Sequence, residues 1–159
     1  MKIFPSGMVI AVDTREQRPF LFAGYPCETR RGTLRTADYS LAGHENEVCI
    51  ERKELDDIVA CCMGERERFK AELDRMAAFK AAAIVVESPL AAIRRGRYHS
   101  QINPASVEQS LLSFSFKHRI PIYFGRNRLH AENIAFNALR HYYNHTVEPK
   151  FKIGYVPFQ

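Results

Sequence analysis

The sequence lacks any apolar run of 18 or more residues, which argues against a membrane-spanning helix. Its start, MKIFPSGMVIAVD, lacks the long apolar region and small-residue cleavage site of a signal peptide, so a cytoplasmic location is the expectation. Cysteine is scarce. Cys27, Cys49, Cys61 and Cys62 include no CxxC pair, which makes a zinc site an unsuitable reading. Cys49 falls inside an apolar run, where a reduced cysteine packs as a small hydrophobe. Internal repeats, low-complexity tracts and long linkers are also absent. Acidic residues thin out along the chain. Residues 1–80 carry 13 basic and 14 acidic groups, whereas residues 81–159 carry 10 and 4. Such asymmetry suits a polyanionic partner, although solubility alone would also account for it.

What is present fits one domain. The 159 residues, 46% of them hydrophobic, suffice for a single core and are short for two. Met8 to Val12 reads as a buried strand ending at Asp13, and Pro19 marks the loop after it. Residues 28–53 read as two or three antiparallel strands joined by turns, the last being VCIERK. From Leu55 the apolar spacing becomes helical, with Ile58 and Val59 on one side. After Gly64 an amphipathic helix places Phe69, Leu73, Met76 and Ala77 on one stripe. Ala81 to Ser88 is strand-like. PLAAIRRGRYHSQINP reads as a helical turn and a basic loop, and Pro104 starts a helix through Val107, Leu111, Leu112 and Phe114. A strand near Ile120 to Phe124 and a helix carrying Leu129, Ile134, Ala138 and Leu139 follow. An irregular tail is expected from about residue 144, with Pro149 and Pro157 in it. Alternating strands and helices point to an α/β domain, a mixed central sheet with helices on both faces.

The chemistry concentrates in VCIERKELDDI. Side chains alternate along a strand, so Val48 and Ile50 share one face while Cys49, Glu51 and Lys53 share the other. Arg52 then points with the hydrophobic set. Asp38 and Asp13 both stand at the ends of apolar segments. Mg²⁺ takes one or two carboxylates plus waters and substrate phosphate, so Asp38 and Glu51 are candidate ligands, with a backbone carbonyl near Arg52 as a third donor. Lys53 would neutralise charge on a phosphate or position water, since nearby carboxylates favour its charged form. The plainer alternative is a solvated charge run at a helix start, where acids suit the dipole.

These residues carry a resemblance. Ala37-Asp38, Glu51-Arg52-Lys53 and Asp57 resemble the GDxnERKxxxD signature of XPF-type structure-specific endonucleases. VDTREQRP at 12–19 is similar to the family's strand-ending Asp-x-Arg-Glu segment, and TLRTADYSLAG to its Leu-x-x-Gly-Asp-Tyr stretch. The match is close through about residue 88. It implies a restriction-endonuclease-like fold and Mg²⁺- or Mn²⁺-dependent cleavage of DNA near branches or flaps, in repair or recombination. Asp38 and Glu51 resemble the metal-binding acids and Lys53 the catalytic lysine. Asp13 would lie beside the metal, Arg52 and Asp57 would support the site, and Arg15 would brace it or approach DNA. Ala37 departs from the family's glycine, which costs about a kcal/mol or more if that position needs positive φ. Nothing in the sequence resembles a tandem helix-hairpin-helix module, so a homodimer or a partner subunit would supply branch specificity. Two rivals to a branch-cutting endonuclease are a DNA-binding or scaffolding protein of the same fold with little activity, and a restriction-like nuclease with the same metal chemistry but without branch specificity.

Phosphate contacts are expected from Arg66 and Arg68 past Gly64, and from the loop residues Arg94, Arg95 and Arg97. Lys117, Arg119, Arg126 and Arg128 form a second late basic set. His99, His118 and His130 read as solvated or locally hydrogen-bonded residues. Phe114, Phe116, Tyr123 and Phe124 read as packing aromatics.

Overall fold

The apolar runs recognised above become the strands of a single sheet in the computed structural model, which describes residues 7–148. Strands β1 (Val9–Asp13), β2 (Glu28–Gly32), β3 (Tyr39–Leu41), β4 (Val48–Lys53), β5 (Ala81–Val86) and β6 (Ile122–Phe124) lie in the order β2-β1-β3-β4-β5-β6. Helices α1 (Leu55–Ala60) and α2 (Arg66–Met76) connect β4 to β5, α3 (Leu90–Arg94) and α4 (Pro104–His118) connect β5 to β6, and α5 (Arg128–Tyr142) closes the described chain. Both helical connections join parallel neighbours, as a crossover must. The fold is a mixed sheet flanked by helices, as expected.

The segment 28–53 differs from the expected antiparallel set. Only β3 and β4 pair in that way; β2 runs parallel to β1 at the sheet edge. The connection 14–27 carries the chain back to the start of β1 before β2 begins, which makes the two strands co-directional. Neither apolar cluster includes a residue of this edge strand, and Glu28 to Arg31 are all exposed.

Two apolar clusters divide at the sheet. On one face Met8, Ile10, Val12, Tyr39, Val48 and Ile50 pack with Phe20, Phe22 and the α5 residues Ala131, Ala135, Phe136 and Leu139. On the other, Cys49, Ile84 and Val86 pack with Ile58 and Val59 of α1, Phe69, Leu73 and Met76 of α2, and Val107, Leu111 and Phe114 of α4. The alternation along β4 is therefore as read: Val48 and Ile50 on one side, Cys49 on the other.

Helix ends obey local chemistry. Asn103 caps α4 through a bond from Ala105 N at 2.9 Å, with Pro104 in the first turn. Asn127 caps α5 in the same way from His130 N, also at 2.9 Å. Leu129 and Phe116 depart from their expected packing roles, being 68% and 86% exposed. Each lies two residues, about 200° of helical turn, from a buried neighbour on its own helix, Ala131 or Phe114. Tyr123 is also 45% exposed, on the edge strand β6. The irregular tail does not begin at 144: Tyr143–Val147 form a π-helical turn continuing α5, with Tyr143 and Asn144 buried. The rest of that expected tail, from 149, lies outside the described residues. Among the described residues no helix is long and apolar enough to cross a membrane.

Candidate active site

Strands β1, β3 and β4 run out of the core into carboxylates at neighbouring ends. Asp13 closes β1, Asp38 immediately precedes β3, and Glu51 stands near the end of β4. The Asp38 backbone clamps them together: Asp13 N donates to Asp38 O at 2.8 Å, and Asp38 N donates to Ile50 O at 3.1 Å. Ala37 turns the chain just before Asp38 with φ of 65°. That is the left-handed region, where a Cβ costs roughly 1–2 kcal/mol and glycine costs little. The alanine at the signature glycine position thus carries the strain that positive φ implies, beside the site.

All three acids line one cleft of about 280 Å³ with Arg15, Arg35, Arg68, Glu72 and Arg75. Asp38 and Glu51 are the two acids whose ionisation the site disfavours. Burial pushes the Asp38 carboxyl up to about 6; the Arg52 N–H works against that rise and Glu16 adds to it. Burial, then the neighbouring Asp38, pushes Glu51 well above the usual carboxylate range. The Arg52 N–H donates to Asp38 Oδ2 at 2.8 Å and fixes that carboxylate. N–H and C=O of one extended residue point to the same side, so the Arg52 carbonyl faces Asp38, whereas the next carbonyl, Lys53 O, accepts from Glu87 N toward β5.

Lys53 lies over this pair. Its Nζ is 2.8 Å from Glu51 Oε1 and 3.6 Å from Glu72 Oε2. Burial disfavours its charge, but Glu51 and Glu72 outweigh burial and hold its pKa above the ordinary lysine value. Lys53 also faces an adjoining cleft of about 360 Å³ lined by Asp57, Glu65, Arg68, Phe69 and Glu72. Arg68 and Glu72 line both spaces, so the helix face that carries them forms the ridge between.

The other candidates divide. Asp13 is engaged by Arg15, whose Nε and Nη2 reach Asp13 Oδ2 at 2.9 and 2.6 Å. Burial would raise Asp13, yet the Arg15 hydrogen bonds leave it below its ordinary value. Arg52 points to the opposite face, as strand alternation requires, and bonds Glu16 at 3.0 Å and Glu87 at 3.0 Å. Asp57 stands exposed in the first turn of α1, on the Lys53 side and away from the acid pair.

Among the DNA-binding candidates, Arg68 borders the acids. Arg66 is instead a brace: its guanidinium bonds Ser110 at 3.0 Å and lies 4.7 Å from the Phe114 ring centroid. Arg94 ends α3 rather than standing in a loop, and is held by Glu108 at 2.6 Å. Arg95 and Arg97 are exposed and line neither cleft. His118 is buried between Phe114 O and Asp74, and His99 pairs with Asp56, both local roles as read.

Glu72, Arg75 and Arg35 escaped the sequence reading. A signal existed for two of them. Arg68, Glu72 and Arg75 are spaced i, i+4, i+7, one stripe of α2 beside its buried stripe Phe69, Leu73 and Met76.

Among the described residues no group of three or more His, Cys, Asp or Glu side chains is arranged to hold a metal. Two carboxylates nevertheless suit a hard divalent cation that keeps several waters. Burial raises the pKa of both half-buried Asp38 and buried Glu51, and Lys53 is their neighbouring cation. The donor set of Asp38, Glu51 and the Arg52 carbonyl fits such an ion. Asp13 fits it less well, because Arg15 already neutralises it.

The sequence profile of the ERCC4 domain matches residues 12–137. The chain belongs to the ERCC4 domain family. Every acid of the cleft, Lys53 and the α2 stripe fall within the matched segment. No curated protein is significantly similar to it in sequence. Among solved structures it is similar to XPF from Aeropyrum pernix, with a TM-score of 0.69 and 17% identity over 94% of this chain and 67% of that one. It is also similar to XPF from Aeropyrum pernix in complex with DNA, with a TM-score of 0.67 and 18% identity over 92% of this chain and 68% of that one. At such identity the likeness is one of fold, and it is the restriction-endonuclease-like sheet expected for an ERCC4 domain.

Proposed function

We propose that this ERCC4 domain is a divalent-metal-dependent DNA endonuclease that hydrolyses phosphodiester bonds at branched or flap structures. The observation that carries the reading is an acid pair, half-buried Asp38 and buried Glu51, beside a charged lysine in an open cleft. Structural carboxylates are satisfied by their neighbours; burial drives both of these away from ionisation, and for Glu51 the neighbouring Asp38 adds to it, a pattern that clusters at functional sites. Family membership and the fold shared with XPF, one example of which is in complex with DNA, support the same reading.

In this reading Asp38, Glu51 and the Arg52 carbonyl hold Mg²⁺ or Mn²⁺. When bound, such an ion lowers the pKa of a water and polarises a phosphoryl oxygen. The chain's own groups do the rest. The Arg52 N–H keeps Asp38 aimed into the cleft. Lys53 stays charged and neutralises the phosphate as negative charge builds on it. Glu72 retains the lysine when Glu51 turns to a cation. Asp57 bounds the Lys53 side. Arg68 on the dividing ridge approaches a backbone phosphate. A homodimer or a partner subunit supplies branch specificity, and the protein works in association with DNA.

The test is cleavage of flap, fork, Holliday and linear duplex DNAs with Mg²⁺ or EDTA, using the wild type, Asp38→Asn and Lys53→Ala. Metal-dependent cutting lost in both variants is expected. Tight binding with no cutting of any substrate would overturn the enzyme reading, and equal cutting of all four would remove branch specificity.

A further inference from the structure

The acid cleft continues into a neighbouring depression of about 330 Å³, lined by Arg35, Thr36, Asn46, Arg75, Ala78 and Phe79. Arg35, Thr36 and Arg75 line both spaces, so together they form one trough. The two arginines come from unrelated elements, the loop before Asp38 and the last turns of α2. Both are exposed. Their state sets them apart from other arginines around the site. Arg15 is held by Asp13, Arg52 by Glu16 and Glu87, and Arg66 by Ser110 and Phe114. No ion pair or side-chain hydrogen bond engages Arg35 or Arg75 among the described residues. The opposite end of the trough has the reverse character, with Asp57, Glu65 and Glu72 around Lys53 and Arg68.

We propose that Arg35 and Arg75 form a binding subsite for the DNA backbone phosphate next to the scissile one, on the Asn46–Phe79 side of the acid cleft. This rests on the reading of that cleft as the place of cleavage. A strand laid across the Asp38 and Glu51 carboxylates meets like charge at its centre. Two free guanidiniums bordering those carboxylates offset it, and their planar forks match a phosphate. At the far end Lys53 and Arg68 are each paired with a carboxylate, so the strand is gripped more firmly on the Arg35–Arg75 side of the cut. The contact carries no base preference, because phosphate contacts position a nucleic acid and do not read it.

The test uses the whole chain and a fluorescein-labelled splayed-arm DNA in EDTA, titrated over a range of salt. Arg35→Ala and Arg75→Ala should each flatten the slope of log K against log salt by about 1, and the double variant by about 2. Arg75→Lys should keep the wild-type slope. Lys70→Ala, on α2 but off the trough, should also keep it and controls for net charge. With Mg²⁺ present the double variant should raise KM and keep kcat. Unchanged slopes in both single variants would overturn the proposal, as would a fall in kcat at constant KM, which would place the arginines on the scissile phosphate itself. If the wild type cuts no DNA, that failure belongs to the nuclease reading, and the metal-free slopes still decide whether Arg35 and Arg75 hold a phosphate. Thermal unfolding of each variant separates lost contacts from lost fold.

Discussion

Glu51, Arg52 and Lys53 are consecutive, yet the two faces of β4 treat them in opposite ways. On the α5 face, Arg52 is enclosed by acids. It bonds Glu16, Glu54 and Glu87, and Arg128 completes the network at Glu87. Burial would raise Glu16, but hydrogen bonds from Arg52 hold it below its ordinary value. Each charge there has its partner. On the α2 face, burial pushes Asp38 and Glu51 up, Glu16 adds to the rise of Asp38 and Asp38 to that of Glu51, and Lys53 is the cation set against both. One face is electrostatically settled and the other is short of a cation. A settled network orders the strand end, whereas an unsettled one is ready to take a ligand.

The sharpest way to break this contrast is Arg52→Ala. It leaves Glu16 and Glu87, whose side chains are 7% and 10% exposed, without their central partner. Removing one member of a buried pair costs about 3–5 kcal/mol, so urea unfolding should shift by that amount. Lys53→Ala should do the reverse. Cleavage should fall about 10²- to 10³-fold, as for loss of one preorganised charge-stabilising group, while the unfolding midpoint falls less than for Arg52→Ala, because Glu51, already held toward its neutral form, takes up a proton instead of standing as an unpaired charge. If the two variants gave the same pattern, the two faces would not differ in kind.

A smaller effect reads the acid pair directly. Asp38 binds its proton more tightly folded than unfolded, with a pKa of about 6 against 3.8. A raised acid pKa favours the folded state at low pH, so metal-free stability should decline as pH rises from about 4 to 6. Asp38→Asn should remove the Asp38 share of that decline, leaving the share that Glu51 contributes, and stabilise the metal-free protein at pH 7 by on the order of 1–2 kcal/mol, measured by chemical unfolding in EDTA. Mg²⁺ should raise the melting temperature of the wild type and not that of Asp38→Asn. The smallest expected change is Ala37→Gly. Relief of the left-handed strain, less the added freedom of the unfolded glycine, should give about 0.5–1 kcal/mol. Equilibrium unfolding checks it, and a loss of stability would mean that φ near 65° is not strained there.

Much of this was legible in sequence because local patterns carried it. Period-two alternation assigned Glu51 and Lys53 to one side of β4 and Arg52 to the other. Helical spacing located α2 and its buried stripe, and the signature residues named Asp38. What failed had non-local causes. Arg66 and Arg94 look like free surface charge in sequence, and only the arrival of α4, with Ser110, Phe114 and Glu108, engages them. The parallel pairing of β2 with β1 depends on the path of residues 14–27, which no periodicity reveals.

By itself the sequence determined the order of elements and the side of the strand on which each charge of Glu-Arg-Lys emerges, because side-chain alternation is a property of neighbouring residues; that Ala37 is strained needed its φ of 65°. Only the tertiary structure decided which charges are free to act. That depends on burial and on partners brought from distant parts of the chain: Glu16 and Glu87 around Arg52, Glu72 beside Lys53, and no carboxylate on Arg35 or Arg75 among the described residues. The reason is that a charge's free energy is set by everything within a few ångströms, and most of those atoms are far away in sequence.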